Sequence, residues 1–215
     1  MTVDLNLLER WQIGWSLSRG APLPTRHGGG LVVEVGLPDQ LRRHVFVDAV
    51  GALQDCAARI RVPFVLLKAA VDIDQMRRAL PAAWQIQNQG YLMARPAPAP
   101  EIASPAGYRA TVELEHGAHL IRFIAADGQT AASGRVVLNG ACAVFDRIET
   151  LEPHRRKGLG TALMSALDAL AAQAGVSERL LVATEAGRAL YLTLGWQVLA
   201  PYSTAVLPGA ALHNR

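Results

Sequence analysis

Between Cys142 and Gly175 a β-type segment, a basic glycine turn and an amphipathic helix follow one another, and this order restricts the fold more than any other feature of the chain. Cys142–Leu151 reads as a strand, which Pro153 and His154 end. Arg155-Arg156-Lys157-Gly158-Leu159-Gly160 then turns the chain. From Thr161 to Ala174 the residues Ala162, Leu163, Ala166, Leu167, Leu170 and Ala174 recur at helical spacing, and Gly175 stops the pattern. A helix N-terminus has amides without intrahelical acceptors and a partial positive charge. Glycine lets backbone approach an anion closely, and three basic side chains add charge. Together they predict a cradle for phosphate or pyrophosphate. A Walker loop would place Lys-Ser/Thr after its second glycine, but Thr161 follows Gly160 directly. The GxGxxG of a dinucleotide-binding turn is also missing from this loop. Taken alone, RxxGxG equally fits a basic surface turn that caps a helix.

The flanks supply context. Ala110–Glu115, His119–Ala125 and Ala132–Leu138 read as strands separated by Gly117 and Asp127-Gly128, and Asn139-Gly140 signals a hairpin into the fourth. Downstream, Leu180–Ala183 is a buried strand, Glu185–Leu194 a short helix ended by Gly195, and Trp196–Leu199 and Thr204–Leu207 two closing strands. Arg95–Gly107 holds four prolines, so it is neither helix nor central strand and reads as an extended linker. It divides the chain into residues 1–95, a proline-rich linker at 96–107, and residues 108–215. The first part reads as a smaller α/β domain. Leu5, Leu8, Trp11 and Trp15 predict a helix; Leu31–Val35, Val45–Val47, Phe64–Leu67 and Tyr91–Met93 predict strands. Asp48 is the expected cap of a helix carrying Leu53, Ala57 and Ile60, and Asp72 or Asp74 of one carrying Met76 and Leu80. No internal repeat is visible.

With these elements in order, residues 108–207 resemble the GNAT superfamily of N-acetyltransferases. Arg155-x-x-Gly158-x-Gly160 matches the family's Gln/Arg-x-x-Gly-x-Gly/Ala signature, and Ala189-Leu190-Tyr191-Leu192-Thr193-Leu194-Gly195-Trp196 is similar to its LYxxLGF/W element. The resemblance implies a mixed, mostly antiparallel twisted sheet flanked by helices, with acetyl-CoA as acyl donor. It implies that Arg155, Arg156, Lys157, Gly158, Leu159, Gly160 and Thr161 hold the pyrophosphate. It also implies that the backbone of Ile148 and Thr150 meets pantetheine and supplies an oxyanion donor, and that Tyr191 is the acid for the departing thiolate. For the general base, strand alternation puts Glu149 and Asp146 on opposite faces unless a bulge intervenes, so at most one should face the site, and Glu149 is favoured for its place next to the expected thioester position; Glu113, Glu115 and His154 are further candidates. Arg188 either meets a CoA phosphate or is simply exposed. Two departures matter. Thr184 occupies the position where many members have asparagine, and the two helices that usually shape the acceptor site are missing after the linker. Residues 1–95 are expected to supply that wall, or to be a diverged GNAT-like unit.

Composition narrows the classes. A net charge of +3, spread over both halves, does not suit a dedicated nucleic-acid binder. Cys56 and Cys142 lie far apart without paired spacing, so no metal is expected. No apolar run is long enough for a membrane span, and the N-terminus lacks a signal-peptide pattern, which predicts a cytoplasmic protein. His27-Gly28-Gly29-Gly30 has no Gly-x-Ser-x-Gly elbow to make a hydrolase. The expected activity is N-acetyl transfer to a small-molecule amine or to an amino group of a peptide or protein. The alternative is a non-catalytic acyl-CoA-binding regulatory module. The sequence leaves the oligomeric state open.

Overall fold

The computed structural model describes residues 2–96, 98 and 102–209; within the proline segment, residues 97 and 99–101 lie outside the described residues, as do 210–215. Helix α1 (Leu5–Ser18) starts at Asp4, whose carboxylate accepts the Leu7 N–H at 2.8 Å, and buries Leu7, Leu8, Trp11 and Trp15. Strands β1 (Thr25–His27), β2 (Gly30–Leu37) and β3 (Gln40–Phe46) run antiparallel. Helix α2 (Ala52–Arg59) leads to β4 (Val65–Ala69), parallel to β3. The cap of α2 is Gly51, not the expected Asp48: the Asp48 carboxylate accepts the Val50 N–H within the preceding loop, at 3.1 Å. Helix α3 (Ile73–Ala79) is capped by Asp72, which accepts from Gln75 N–H at 2.7 Å. Short β5 (Gln85–Ile86) and β6 (Gly90–Arg95) follow.

After the proline segment β7 (Tyr108–Glu115), β8 (Ala118–Ala125), β9 (Thr130–Asn139) and β10 (Cys142–Thr150) form an antiparallel meander. Helix α4 (Leu159–Gln173) connects it to β11 (Glu178–Ala183), parallel to β10. Helix α5 (Glu185–Thr193) and β12 (Gln197–Val206) complete the chain. The two closing strands expected around Pro201 are thus one. A register shift between Val198 and Ala200 precedes the proline, and the strand changes partner just beyond it, pairing with β6 up to Tyr202 and with β4 from Ser203.

All strands join one sheet in the order β1-β2-β3-β4-β12-β6-β11-β10-β9-β8-β7, with β5 beside β12. It is the mixed, mostly antiparallel sheet flanked by helices that the sequence predicts. Its centre is built from strands on both sides of the proline segment. Each half runs hairpin, helix, parallel strand, helix, final strand (β2-β3-α2-β4-α3-β6 and β9-β10-α4-β11-α5-β12), and the final strands are exchanged. β6 from the first half pairs with β11, β12 from the second pairs with β4, and β6 pairs with β12. Leu92, Met93 and Ala94 are buried accordingly on both faces: Leu92 and Ala94 pack under α1, Met93 under α4 and α5. α4 is tied to the same region by Asp168, which ion-pairs with buried Arg179 of β11 and lies 3.8 Å from Arg95 of β6.

The proline segment therefore spans the molecule. It joins β6 at the sheet centre to β7 at the far edge, five strand spacings away, roughly 24 Å. Twelve extended residues reach about 40 Å, ample for this path. On the way the Ile102 N–H donates to Ser165 Oγ on α4 at 2.9 Å. Among the described residues no helix is long and apolar enough to cross a membrane. A fragment beginning at Tyr108 would lack β6 and expose the edges of β11 and β12. We expect it to show no cooperative thermal unfolding by circular dichroism, in contrast to the full chain.

Candidate active site

The parallel ladder between β10 and β11 is short. Cys142, Ala143 and Val144 pair with Glu178, Arg179 and Leu180, and beyond Val144 no pairing continues. The two strands part there, and a cleft of about 1040 Å3 opens between them. One wall is the edge of β10 from Phe145 to Thr150, and the other is β11 from Leu181 to Ala183 with α5 behind it.

At one end lies the basic turn. Gly158 takes φ 78°, the left-handed region that favours glycine, and serves as cap of α4. No side chain caps this helix, and no acidic residue sits in its first turn. The Ala162 N–H reaches Gly158 O at 3.0 Å, so the amides of Leu159, Gly160 and Thr161 precede the first closed helical bond. These three residues line the cleft, as do Gly158, Arg155 and Arg156. The Arg155 Nε–H donates to Thr150 O at 3.1 Å, fastening the turn to the end of β10. Gly160 brings α4 close to α5: a Cβ there would stand 3.0 Å from Leu190 Cδ2, which would have to give by a few tenths of an ångström. Lys157 is exposed and is not among the lining residues.

At the middle of the cleft β10 bulges. Asp146 pairs with Arg135 and Glu149 with Ser133, so three steps on β10 match two on β9, and Arg147 takes φ 52°. The extra residue is the bulge that suspends strand alternation: Asp146 and Glu149 oppose residues of one face of β9 and so share that face, on the α1 side. Their surroundings differ. Asp146 accepts from Ser18 Oγ at 2.9 Å and from Arg19 Nε and Nη2 at 2.9 and 3.0 Å. Glu149 is exposed, lines the cleft, and has no ion pair among the described residues.

Tyr191 lines the opposite wall from α5 and is 7% exposed, its ring 6.2 Å from that of Trp196. Burial, with the charge of Asp146 adding to it, pushes its hydroxyl up to about 12, so it stays protonated at neutral pH. Thr184, where asparagine is common in the resembled family, caps α5 by accepting the Gly187 N–H at 3.1 Å.

The remaining candidates are engaged elsewhere. The His154 ring nitrogen lies 3.1 Å from Tyr108 OH. Glu113 pairs with Arg122, and Glu115 with Arg122 and Arg135. Arg188 pairs with Glu185 at 2.8 Å and lies over the Tyr91 ring. Cys142 is fully buried, which pushes its thiol up to about 12. Sequence reasoning missed Arg19. It closes α1, lines the cleft and holds Asp146, and nothing in its neighbourhood in the chain signals a partner 127 residues away. Among the described residues no cluster of His, Cys, Asp and Glu could hold a metal ion.

With this geometry in place, comparison with known proteins gives the family. Residues 80–196, more than half of the chain, match the acetyltransferase (GNAT) family model, and the chain belongs to that family. The matched span begins upstream of the proline segment and includes β6. A search of curated sequences found no match. Among solved structures, a GCN5-related N-acetyltransferase from Kribbella flavida superposes with TM-score 0.65 at 17% identity, over 99% of this chain and 98% of that one. A GCN5-related N-acetyltransferase-like protein from Streptococcus suis gives 0.56 at 11% identity over 83% of each chain. A tandem GNAT protein from the clavulanic acid biosynthesis pathway gives 0.51 at 15% identity, over 67% of this chain and 65% of that one. At these identities the likeness is one of fold.

The two cleft carboxylates should separate by stability. Asp146→Asn removes charge-assisted bonds to Ser18 and Arg19 and should cost about 1–3 kcal/mol in urea unfolding. Glu149→Gln, at an exposed position, should change stability by less than about 0.5 kcal/mol.

Proposed function

We propose that the chain is an N-acetyltransferase that moves an acetyl group from acetyl-CoA to an amine. One observation carries the reading: an uncapped helix N-terminus with basic neighbours opens into the same cleft as a buried, protonated tyrosine and an exposed, unpaired carboxylate. The first end suits an anion. Three amides, the helix dipole, Arg155 and Arg156 would hold a pyrophosphate, with no carboxylate in the first turn to repel it. Bound acetyl-CoA would supply an activated acyl carbon.

The chain's own groups would do the rest. By resemblance to the family, an N–H of β10 near Ile148–Thr150 would face the oxyanion, along the edge that has left the β11 ladder. Glu149 would take a proton from the amine, directly or through water, since only the neutral amine is nucleophilic. Tyr191 would hand its proton to the leaving sulfur. Residues 1–95 are read as a diverged GNAT-like unit. Support comes from the repeated order of elements and the likeness to a tandem GNAT fold. The loop between β3 and α2, Val47-Asp48-Ala49-Val50-Gly51, has no basic residue, so this unit would not repeat the anion cradle. Its helix α1 lies on the face of β9 and β10 and would serve as the acceptor wall missing after the linker.

Two variants test the reading. Gly160→Asp places a carboxylate in the first turn and crowds Leu190, and should lower CoA affinity at least a hundredfold by calorimetry. Tyr191→Phe should lower kcat with an amine about 10- to 100-fold in a thiol-release assay while leaving CoA affinity within about twofold. Tight CoA binding without amine-stimulated thiol release across an amine library would instead favour a non-catalytic binding module.

A further inference from the structure

The α1 side of the sheet carries a set of polar groups that acyl transfer does not use. Lys68 of β4 pairs with Val45 of β3, and Arg43 lies two residues before Val45, so both cations project from one face. Thr204 of β12 pairs with Lys68, which adds Tyr202 to the same face. Lys68 Nζ donates to Thr204 Oγ1 at 2.8 Å. Arg43 is 4% exposed and its guanidinium lies 3.4 Å from the centroid of the Trp15 ring of α1. Gln40, with its amide turned to suit, accepts from Arg43 Nε and Nη2 at 2.8 and 2.9 Å.

Among the described residues these cations have no carboxylate. Asp146 is taken by Arg19, and Glu34 by Arg42. Arg43 Nη1, Ser16 Oγ, Tyr202 OH and both amide atoms of Gln12 are buried and have no partner among the described residues. Buried polar atoms without partners are costly, and Arg43 Nη1 and Tyr202 OH lie on the face that carries Lys68, where they indicate a bound group. These three side chains offer donors: guanidinium, ammonium and a hydroxyl. A carboxylate is an acceptor only, with about four lone-pair sites, and matches them. Burial, together with Arg43 and Arg19, pushes Lys68 well below the usual lysine range, and burial lowers Arg43 to about 10. An anion among them would reverse both effects. The set adjoins the cleft through Trp15, whose ring has Arg43 and, at 4.8 Å, the cleft-lining Arg19 against it.

We infer that Arg43 and Lys68 receive the carboxylate of the acceptor, which makes the substrate a carboxylated amine of the amino-acid class, its nitrogen directed to the β10 bulge. This inference rests on the acyl-transfer reading for the role of the amine, but its test does not require turnover. The full chain, saturated with CoA, is titrated by calorimetry with amino acids and amino-carboxylic acids, each matched to its own carboxamide. The carboxylates should bind at least about tenfold more tightly than their amides, and Lys68→Met should abolish that preference while leaving CoA affinity unchanged. Arg43→Met should do the same, with its thermal transition recorded to confirm that it is folded; Lys68→Met alone decides if it is not. Equal affinity within every pair, or no binding of any carboxylate, overturns the inference. Carboxylate binding without thiol release would instead count against acyl transfer, and thiol release indifferent to the carboxylate would count against this inference alone.

Discussion

Three residues of parallel ladder hold β10 to β11, and the cleft exists because the ladder stops at Val144. A parallel pair that continued to Thr150 would satisfy the backbone of both strands and leave no room between them. The bulge at Arg147 belongs to the same departure: it increases the local twist of β10 and turns its outer half away from β11. The glycine turn at α4 and the tyrosine of α5 are then set on opposite sides of the gap, because each helix follows one of the parted strands.

That gap would be unstable if the sheet around it were free to close or slide. The pairing of β6 with both β11 and β12 braces it from the side away from β10, and the Asp168–Arg179 ion pair ties α4 to the braced strand. On the other face α1 is docked by apolar packing and by Ser18 and Arg19 on Asp146, next to the bulge. Asp146 thus fixes a wall, and Glu149, three positions on, is left exposed in the cleft. Two carboxylates that look alike in the sequence are separated by what an incoming helix does to one of them.

The glycine turn ahead of α4 was legible in the sequence because its physics is local. Glycine at a left-handed position, basic neighbours and a helix start lie within a dozen residues, and Gly158 has the conformation that its identity suggests. Element types were legible for the same reason. What escaped was decided at a distance. Tyr91-Leu92-Met93 reads as a short strand, and its unbroken apolar character is what burial on both faces requires, yet the partners lie some 90 to 110 residues downstream. Pro201 suggested a break because proline cannot donate to a ladder, but a register shift and a change of partner accommodate it. The sequence allows a bulge in β10 without placing one, because Arg147 is a poor advertisement for positive φ, so the shared face of Asp146 and Glu149 was not legible. Arg19 gave no signal, since its importance arises only when α1 meets β10.

The exchange of β6 and β12 has a consequence for how the chain comes into being. Synthesis proceeds from the N-terminus, and the segment ending at Arg95 leaves the ribosome with β4 and β6 each lacking a neighbour that has not yet been made. β12, the last strand to emerge, lies between them. Nascent chains should therefore pass through a stage with open, apolar strand edges near their middle, which close only when β12 has been made.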